Sequence, residues 1–306
     1  MAFRERIKPV FMSTGPGRAL WERARTMKGR APDLIWPAEA RWLYGTRRQE
    51  LDSAPAPVLI GGTGGSGTRA VARILEAAGL FMGAHLNHAH DALPTIRRYT
   101  AKWARYAEDQ GASLPPREQR RMDFDLVTAL LKHRGGLHDI AKRWGAKNPR
   151  FIFFLPHLDH CFPRMRFIHL VRDGRDMAFS ENKFQLREVG ALYSEALRTR
   201  LAGESDAVRA MALWAAINRD ARRYGDTHLQ DRYVCIRFED LCARPRSVLQ
   251  ELLDFAGCGP EHLERAMAEV LPPPTLGRWR QQDPALMARV LEEGRQALEI
   301  FGYTED

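Results

Sequence analysis

Short apolar runs alternate with amphipathic stretches along most of this chain. Pro57 to Ile60 leads as an apolar run into a glycine-rich turn, and Thr68 to Ala78 follows with apolar positions at helical spacing. Phe151 to His157 is short and apolar. Arg166 to Val171 (RFIHLV), bounded by Pro163 and Gly174, predicts a buried strand, with a helix from Arg175 onward. Residues 206 to 224 predict an amphipathic helix around Met211 and Trp214, Tyr233 to Phe238 a further strand, and Ser247 to Ala256 another helix. The repeated order of strand and helix predicts an α/β fold, with a central parallel β-sheet flanked by helices and a ligand at the carboxyl ends of the strands.

Residues 95 to 143 read as mainly helical and basic, interrupted at Pro115-Pro116, and 181 to 225 as helical. Residues 1 to 56 form a basic N-terminal extension, with Trp21, Trp36 and Trp42, that closes on the Ala54-Pro55-Ala56-Pro57 linker. An arm or flap is expected there, ahead of one domain over 57 to 306.

The turn after Ile60 carries the first chemistry. Gly62, Gly64, Gly65, Ser66 and Gly67 let backbone N–H groups point inward around an anion, and the helix opening at Thr68 and Arg69 adds the positive end of its dipole. The spacing from Gly62 to Gly67 fits the Walker pattern, yet Thr68 stands where that pattern needs lysine and Arg69 where it needs a Mg²⁺-binding hydroxyl. Triphosphate chemistry is therefore disfavoured. The same residues read as G-x-G-x-x-G, but no acidic residue stands between Glu76 and Asp91 to hold a ribose, which weakens an NAD(P)-dependent oxidoreductase as an alternative. An ordinary strand-to-helix turn is the plain structural reading.

The net charge of +9 on 306 residues implies an anionic ligand, substrate or surface. Nucleic acid is the competing partner, through the basic extension and the helices near Arg97, Arg98 and Lys102. Cys161, Cys235, Cys242 and Cys258 form no C-x-x-C pair, so reduced thiols and a cytoplasmic location are expected. The first residues lack a signal-peptide core, and no apolar run reaches the ~18 residues needed to span a bilayer.

A second anion grip is expected where RFIHLV ends. Val171-Arg172-Asp173-Gly174 sends Arg172 out of the strand tip, and Ser180 follows eight positions later. Here the chain resembles the sulfotransferases that use 3′-phosphoadenosine 5′-phosphosulfate (PAPS), closest to the bacterial and tyrosylprotein-like branches. Four motifs carry the resemblance in order: the glycine turn, Lys147-Asn148-Pro149, Arg172 with Ser180, and Arg237-Phe238-Glu239-Asp240-Leu241 with Pro245. It extends through Gly277-Arg278-Trp279-Arg280, similar to the family's basic loop that closes on the donor phosphates, and covers roughly residues 57 to 281.

The resemblance implies the P-loop-like sulfotransferase fold, with no metal required. It also implies in-line transfer of a sulfuryl group from PAPS to a hydroxyl, with an amine ranked second, leaving adenosine 3′,5′-bisphosphate. The basic N-terminal extension and the helical stretches 95 to 143 and 181 to 225 are expected to meet the acceptor, and their charge suits an acidic glycan, glycolipid or peptide, with a small phenol or alcohol also open. Donor contacts fall on Gly62, Gly64, Gly65, Ser66, Gly67, Thr68, Arg69, Arg172, Ser180, Arg237, Arg278, Trp279 and Arg280. Many relatives carry a cation where this chain has Gly65, so Lys147 and Arg280 are ranked to replace it ahead of Arg69, for which a surface or capping role is the alternative.

The family places a base after the loop's helix, which here gives Asp91, then His88 and His85. Asp91 as a helix cap and the histidines as lining of a polar loop are the competing readings. A solvated Lys147 before a proline turn is the alternative to a catalytic one, and metal binding through His85, His88 and His90 ranks low without a helical i, i+4 pair.

Overall fold

A computed structural model describes residues 31–99, 114–135, 141–181 and 195–303. The parts of the expected extension before residue 31 and of the expected helical stretches at 100–113, 136–140 and 182–194 lie outside the described residues. In chain order the elements are α1 (Ala31–Ser53), β1 (Val58–Gly62), α2 (Thr68–Ala77), α3 (Leu93–Arg98), α4 (Pro116–Arg134) and β2 (Gly145–Lys147). A 3₁₀ turn (Pro149–Phe154) leads into α5 (Leu155–Cys161), then β3 (Arg166–Val171), α6 (Gly174–Ala178), α7 (Glu195–Arg200), α8 (Asp206–Tyr224) and β4 (Tyr233–Arg237). The chain continues with α9 (Phe238–Ala243), α10 (Pro245–Ala256), α11 (Leu263–Met267) and α12 (Pro284–Ile300).

The four strands pair in parallel in the order β2-β1-β3-β4. Side chains alternate across each strand, and both faces are buried. Leu59 and Phe167 join one apolar cluster with α4, α5 and part of α8; Val58, Ile60, Ile168, Leu170 and Ile236 join another with α2 and α10. Coverage of both faces explains why RFIHLV reads as an unbroken apolar run apart from its histidine. The chain moves from β1 to β2 on one side and later to β3 on the other. The strand order therefore reverses beside β1, where doubly wound sheets open a crevice at their carboxyl ends.

Three elements go beyond the sequence expectation. Phe151 to His157, apolar but assigned no element from sequence, is a 3₁₀ turn running into α5, because Pro149 opens a helical turn and the Asn148 side chain accepts a hydrogen bond from Arg150 N at 3.0 Å. β2 is a three-residue strand, Gly-Ala-Lys, without β-forming side chains, held by its register against Val58 to Ile60. From residue 31 the expected arm is helical, and Leu43 and Leu51 of α1 are buried in the same cluster as Leu126 and Leu130 of α4. Among the described residues no helix is long and apolar enough to cross a membrane.

His133, His157 and His169 are buried with hydrogen-bond partners. His169 on β3 meets Asn218 Oδ1 at 2.8 Å through Nε2 and Tyr233 OH at 2.6 Å through Nδ1. Asn218 Nδ2 donates to Trp214 O, so the amide oxygen faces the ring, Nε2 carries the proton and the tyrosine hydroxyl donates to Nδ1. Burial pushes both His169 and His133 down to about 4, so each is neutral in the folded chain at neutral pH. Unfolded histidine titrates near 6.5, so stability is complete above about pH 6.5 and falls toward pH 4, by about 1.4 kcal/mol per pH unit for each histidine. Urea unfolding between about pH 7 and about pH 4.5 should show the loss, and a flat profile would contradict it.

Candidate functional site

β1 ends at Gly62, and the chain turns at once into α2. Gly65 and Gly67 have φ of +97° and +95°, a left-handed backbone that favours glycine. Gly67 has a second constraint: a Cβ there would lie 2.5 Å from the Phe238 ring. The turn closes by Ser66 N donating to Thr63 O at 3.0 Å. Thr63 Oγ1 and Ser66 Oγ are buried without a hydrogen-bond partner among the described residues. No side chain caps α2 and no acid occupies its first turn. Buried polar atoms without partners are rare in folded proteins, and here they lie at a positive helix end.

Lys147, the last residue of β2, is only 2% exposed. Its Nζ donates to Asp91 Oδ1 at 2.5 Å and to Ala89 O at 2.9 Å. Burial pushes the Lys147 ammonium below the ordinary lysine value; Asp91 pulls it back up, and Arg69 adds to the fall. Asn87 holds the other end of this pair. Its Oδ1 accepts from the backbone N–H of Ala89 at 2.8 Å and of Asp91 at 2.9 Å, and its Nδ2 donates to Asp91 Oδ2 at 2.9 Å. His90 adopts φ +59° between them, an uncommon conformation for a residue with a Cβ.

The glycine turn, Asp91 and Lys147 share one cleft of about 770 Å³. Gly64, Gly65, Gly67, Thr68 and Arg69 form one wall and Asp91, Lys147 and Arg150 another, with Arg172 and Phe238 beside them. Its outer rim is Ile96, Pro273 and Leu271, the last 69% exposed, together with Arg73, which pairs with Glu269 at 2.8 Å.

Arg172 is buried rather than projecting from a strand tip outside the core. Its Nη2 donates to Thr275 O at 2.7 Å, Thr275 Oγ1 at 3.1 Å and Asp176 Oδ2 at 2.9 Å, while Nε is buried without a partner among the described residues. Asp176 also accepts from Gly277 N at 2.9 Å, so one carboxylate fixes both Arg172 and the loop that carries Arg278. That loop borders a second cavity of about 390 Å³, lined by Arg175, Arg237, Glu239, Trp279, Arg280 and Tyr303 among others. The guanidiniums of Arg175 and Arg280 lie over the Trp279 ring, 3.9 and 4.6 Å from its centre. Glu239 braces the floor: it accepts from Asp173 N at 3.0 Å and from Tyr303 OH at 2.8 Å, and burial raises its carboxyl above the usual range.

The structure thus brings together Asp91, Lys147, the glycine turn, Arg69 and Arg172. Arg237, Trp279 and Arg280 border the second cavity, and Ser180, whose N–H donates to Met177 O at 3.1 Å, lines neither. His85 and His88 are exposed and line neither cavity. Asp91 does not cap α3, whose N-cap is Ala92 without a side-chain bond, and Lys147 is not solvated. Sequence reasoning missed Asn87, Thr63 and Arg150. An asparagine three residues before His90-Asp91, a residue type that favours Asx turns, was a signal for the first.

Comparison with curated protein sequences returns no match. Among solved structures, sulfotransferase STF1 from Mycobacterium tuberculosis aligns over 86% of this chain and 83% of its own, at 16% identity and a TM-score of 0.53. Sulfotransferase STF9 from Mycobacterium avium aligns over 92% and 89%, at 14% identity and a TM-score of 0.52. Both share the fold. A model of the sulfotransferase family matches residues 57–261, which include the glycine turn, Lys147 and Arg172. This chain belongs to the sulfotransferase family, and it is an enzyme of that class.

Proposed function

We propose that the protein transfers the sulfuryl group of PAPS to a hydroxyl on an acidic acceptor, with Asp91 and Lys147 at the reacting centre. The carrying observation is their ion pair, held in the same cleft as Gly64, Gly65 and Gly67. The residues fit a donor of this kind. The Thr63 and Ser66 hydroxyls, without partners among the described residues, and the open end of α2 suit the 5′ phosphate, and Arg172 Nε suits the 3′ phosphate, with Arg237, Trp279 and Arg280 of the second cavity as further donor contacts.

PAPS supplies an activated sulfuryl group and a stable leaving anion. Asp91 takes the acceptor hydroxyl proton as its oxygen bonds to sulfur, and the Lys147 ammonium meets the charge that develops on the departing phosphate oxygen. Lys147 thereby supplies the cation that Gly65 does not. A reacting pair fixed in place needs no reorganisation during transfer. Arg69, Arg73 and Arg150 beside Ile96, Pro273 and Leu271 suit an acceptor that joins negative charge to an apolar part, as in an acidic glycolipid or peptide. In the same reading the family domain opens near residue 57, with α1 packed onto it through Leu43 and Leu51.

Labelled PAPS with acidic and neutral hydroxyl acceptors tests the assignment. Transfer should favour the acidic set, and no transfer together with no thermal shift by adenosine 3′,5′-bisphosphate would refute it. Asp91→Asn should leave bisphosphate affinity intact and lower turnover by about 10²- to 10⁴-fold. Because Asp91 raises the Lys147 value against burial, its loss should also move the alkaline limb of the rate profile to lower pH. Turnover within a few-fold of wild type would place the base elsewhere. Gly67→Ala should cost about 1–3 kcal/mol in denaturant unfolding, because the methyl meets Phe238 and φ is left-handed, and should weaken bisphosphate binding measured by calorimetry.

A further inference from the structure

Three ligand-type side chains converge away from the transfer cleft. Asp123 projects from α4, and His157 and Cys161, four residues apart on α5, share one helix face. His157 Nε2 lies 2.7 Å from Asp123 Oδ1, and Cys161 Sγ lies 3.6 Å from that nitrogen and 3.7 Å from that oxygen. A tetrahedral zinc ion with Zn–S of about 2.3 Å and Zn–N or Zn–O of about 2.0–2.2 Å requires S···N and S···O edges of about 3.5–3.7 Å and an N···O edge of about 3.3 Å. Two edges already match. The third is short because a proton links imidazole and carboxylate, and opening it by about 0.6 Å is within the reach of side-chain rotation.

The surroundings suit a cation. The Tyr99 hydroxyl lies 2.6 Å from His157 Nδ1, the outer-shell partner that metal-bound imidazoles take. Asp123 keeps 26% of its side chain exposed, which leaves a route from solvent, whereas His157 is 1% exposed. A thiolate and a carboxylate together would neutralise a divalent charge in this half-buried setting.

We propose that Asp123, His157 and Cys161 bind a thiophilic divalent cation such as Zn²⁺, with water completing the tetrahedron. Coordination forms a sulfur–metal bond as the Cys161 thiol releases its proton to solvent. The proton on His157 Nε2 moves to Nδ1, which then donates to the Tyr99 oxygen. None of the three ligands lines the transfer cleft, so the ion is structural: it ties α4 to α5 and, through Tyr99, to the end of α3.

The test uses full-length protein stripped with a chelator. One equivalent of Co²⁺ should give a near-ultraviolet sulfur-to-cobalt absorption band, which Zn²⁺ then bleaches, and Zn²⁺ but not Mg²⁺ should raise Tm. Cys161→Ser should abolish the band, and Asp123→Asn should weaken Zn²⁺ binding at least tenfold. The second variant carries the comparison if the first fails to fold. No band in the wild type, the same band in Cys161→Ser, or a Zn²⁺-induced Tm shift in both variants as large as in the wild type would overturn the assignment.

Discussion

A lysine ammonium buried at the end of a strand needs a counter-charge, and much of the cleft is arranged around that need. Lys147 reaches this position because β2 pairs with β1 in register, Ile60 opposite Lys147. Asp91 supplies the charge from a loop that Asn87 ties into one conformation, with His90 left-handed between them. Removing Asp91 would leave a buried ammonium unpaired and removing Lys147 would leave the carboxylate without its counter-charge, while Asn87 fixes the loop that carries that carboxylate.

The other half of the cleft depends on Arg172. Its guanidinium bonds to Asp176 and Thr275, and Asp176 in turn holds Gly277 N, so the tip of β3 and the basic loop form one unit. The sheet supplies the geometry. Four parallel strands end on the same edge, and β1, β2, β3 and β4 deliver Gly62, Lys147, Arg172 and Phe238 to it in turn. Phe238 closes against Gly67, linking the fourth strand back to the turn after the first.

Polar contacts outside the cleft follow a different rule. His169 is held neutral by a hydroxyl and an amide, and burial without a counter-charge accounts for its low value. His157 meets a carboxylate and a thiol instead. The first set can only satisfy hydrogen bonds, whereas the second also offers donors to a metal.

The amino-acid sequence by itself determined the elements that short-range pattern can specify: β1 and its glycine turn, the RFIHLV strand, and the helices at 206–224 and near 247–256. It also determined the family, because ordered motifs survive where each alone is ambiguous. Tertiary structure decided what depends on partners far along the chain. β2 has no strand-forming side chains and exists through its pairing with β1; Lys147 lies 56 residues from Asp91; Arg172 is buried by a loop more than 100 residues away. Asp123 and His157, 34 residues apart, meet only because α4 packs on α5. Local spacing carries no record of such contacts, since burial and counter-charge arise only when separate segments pack.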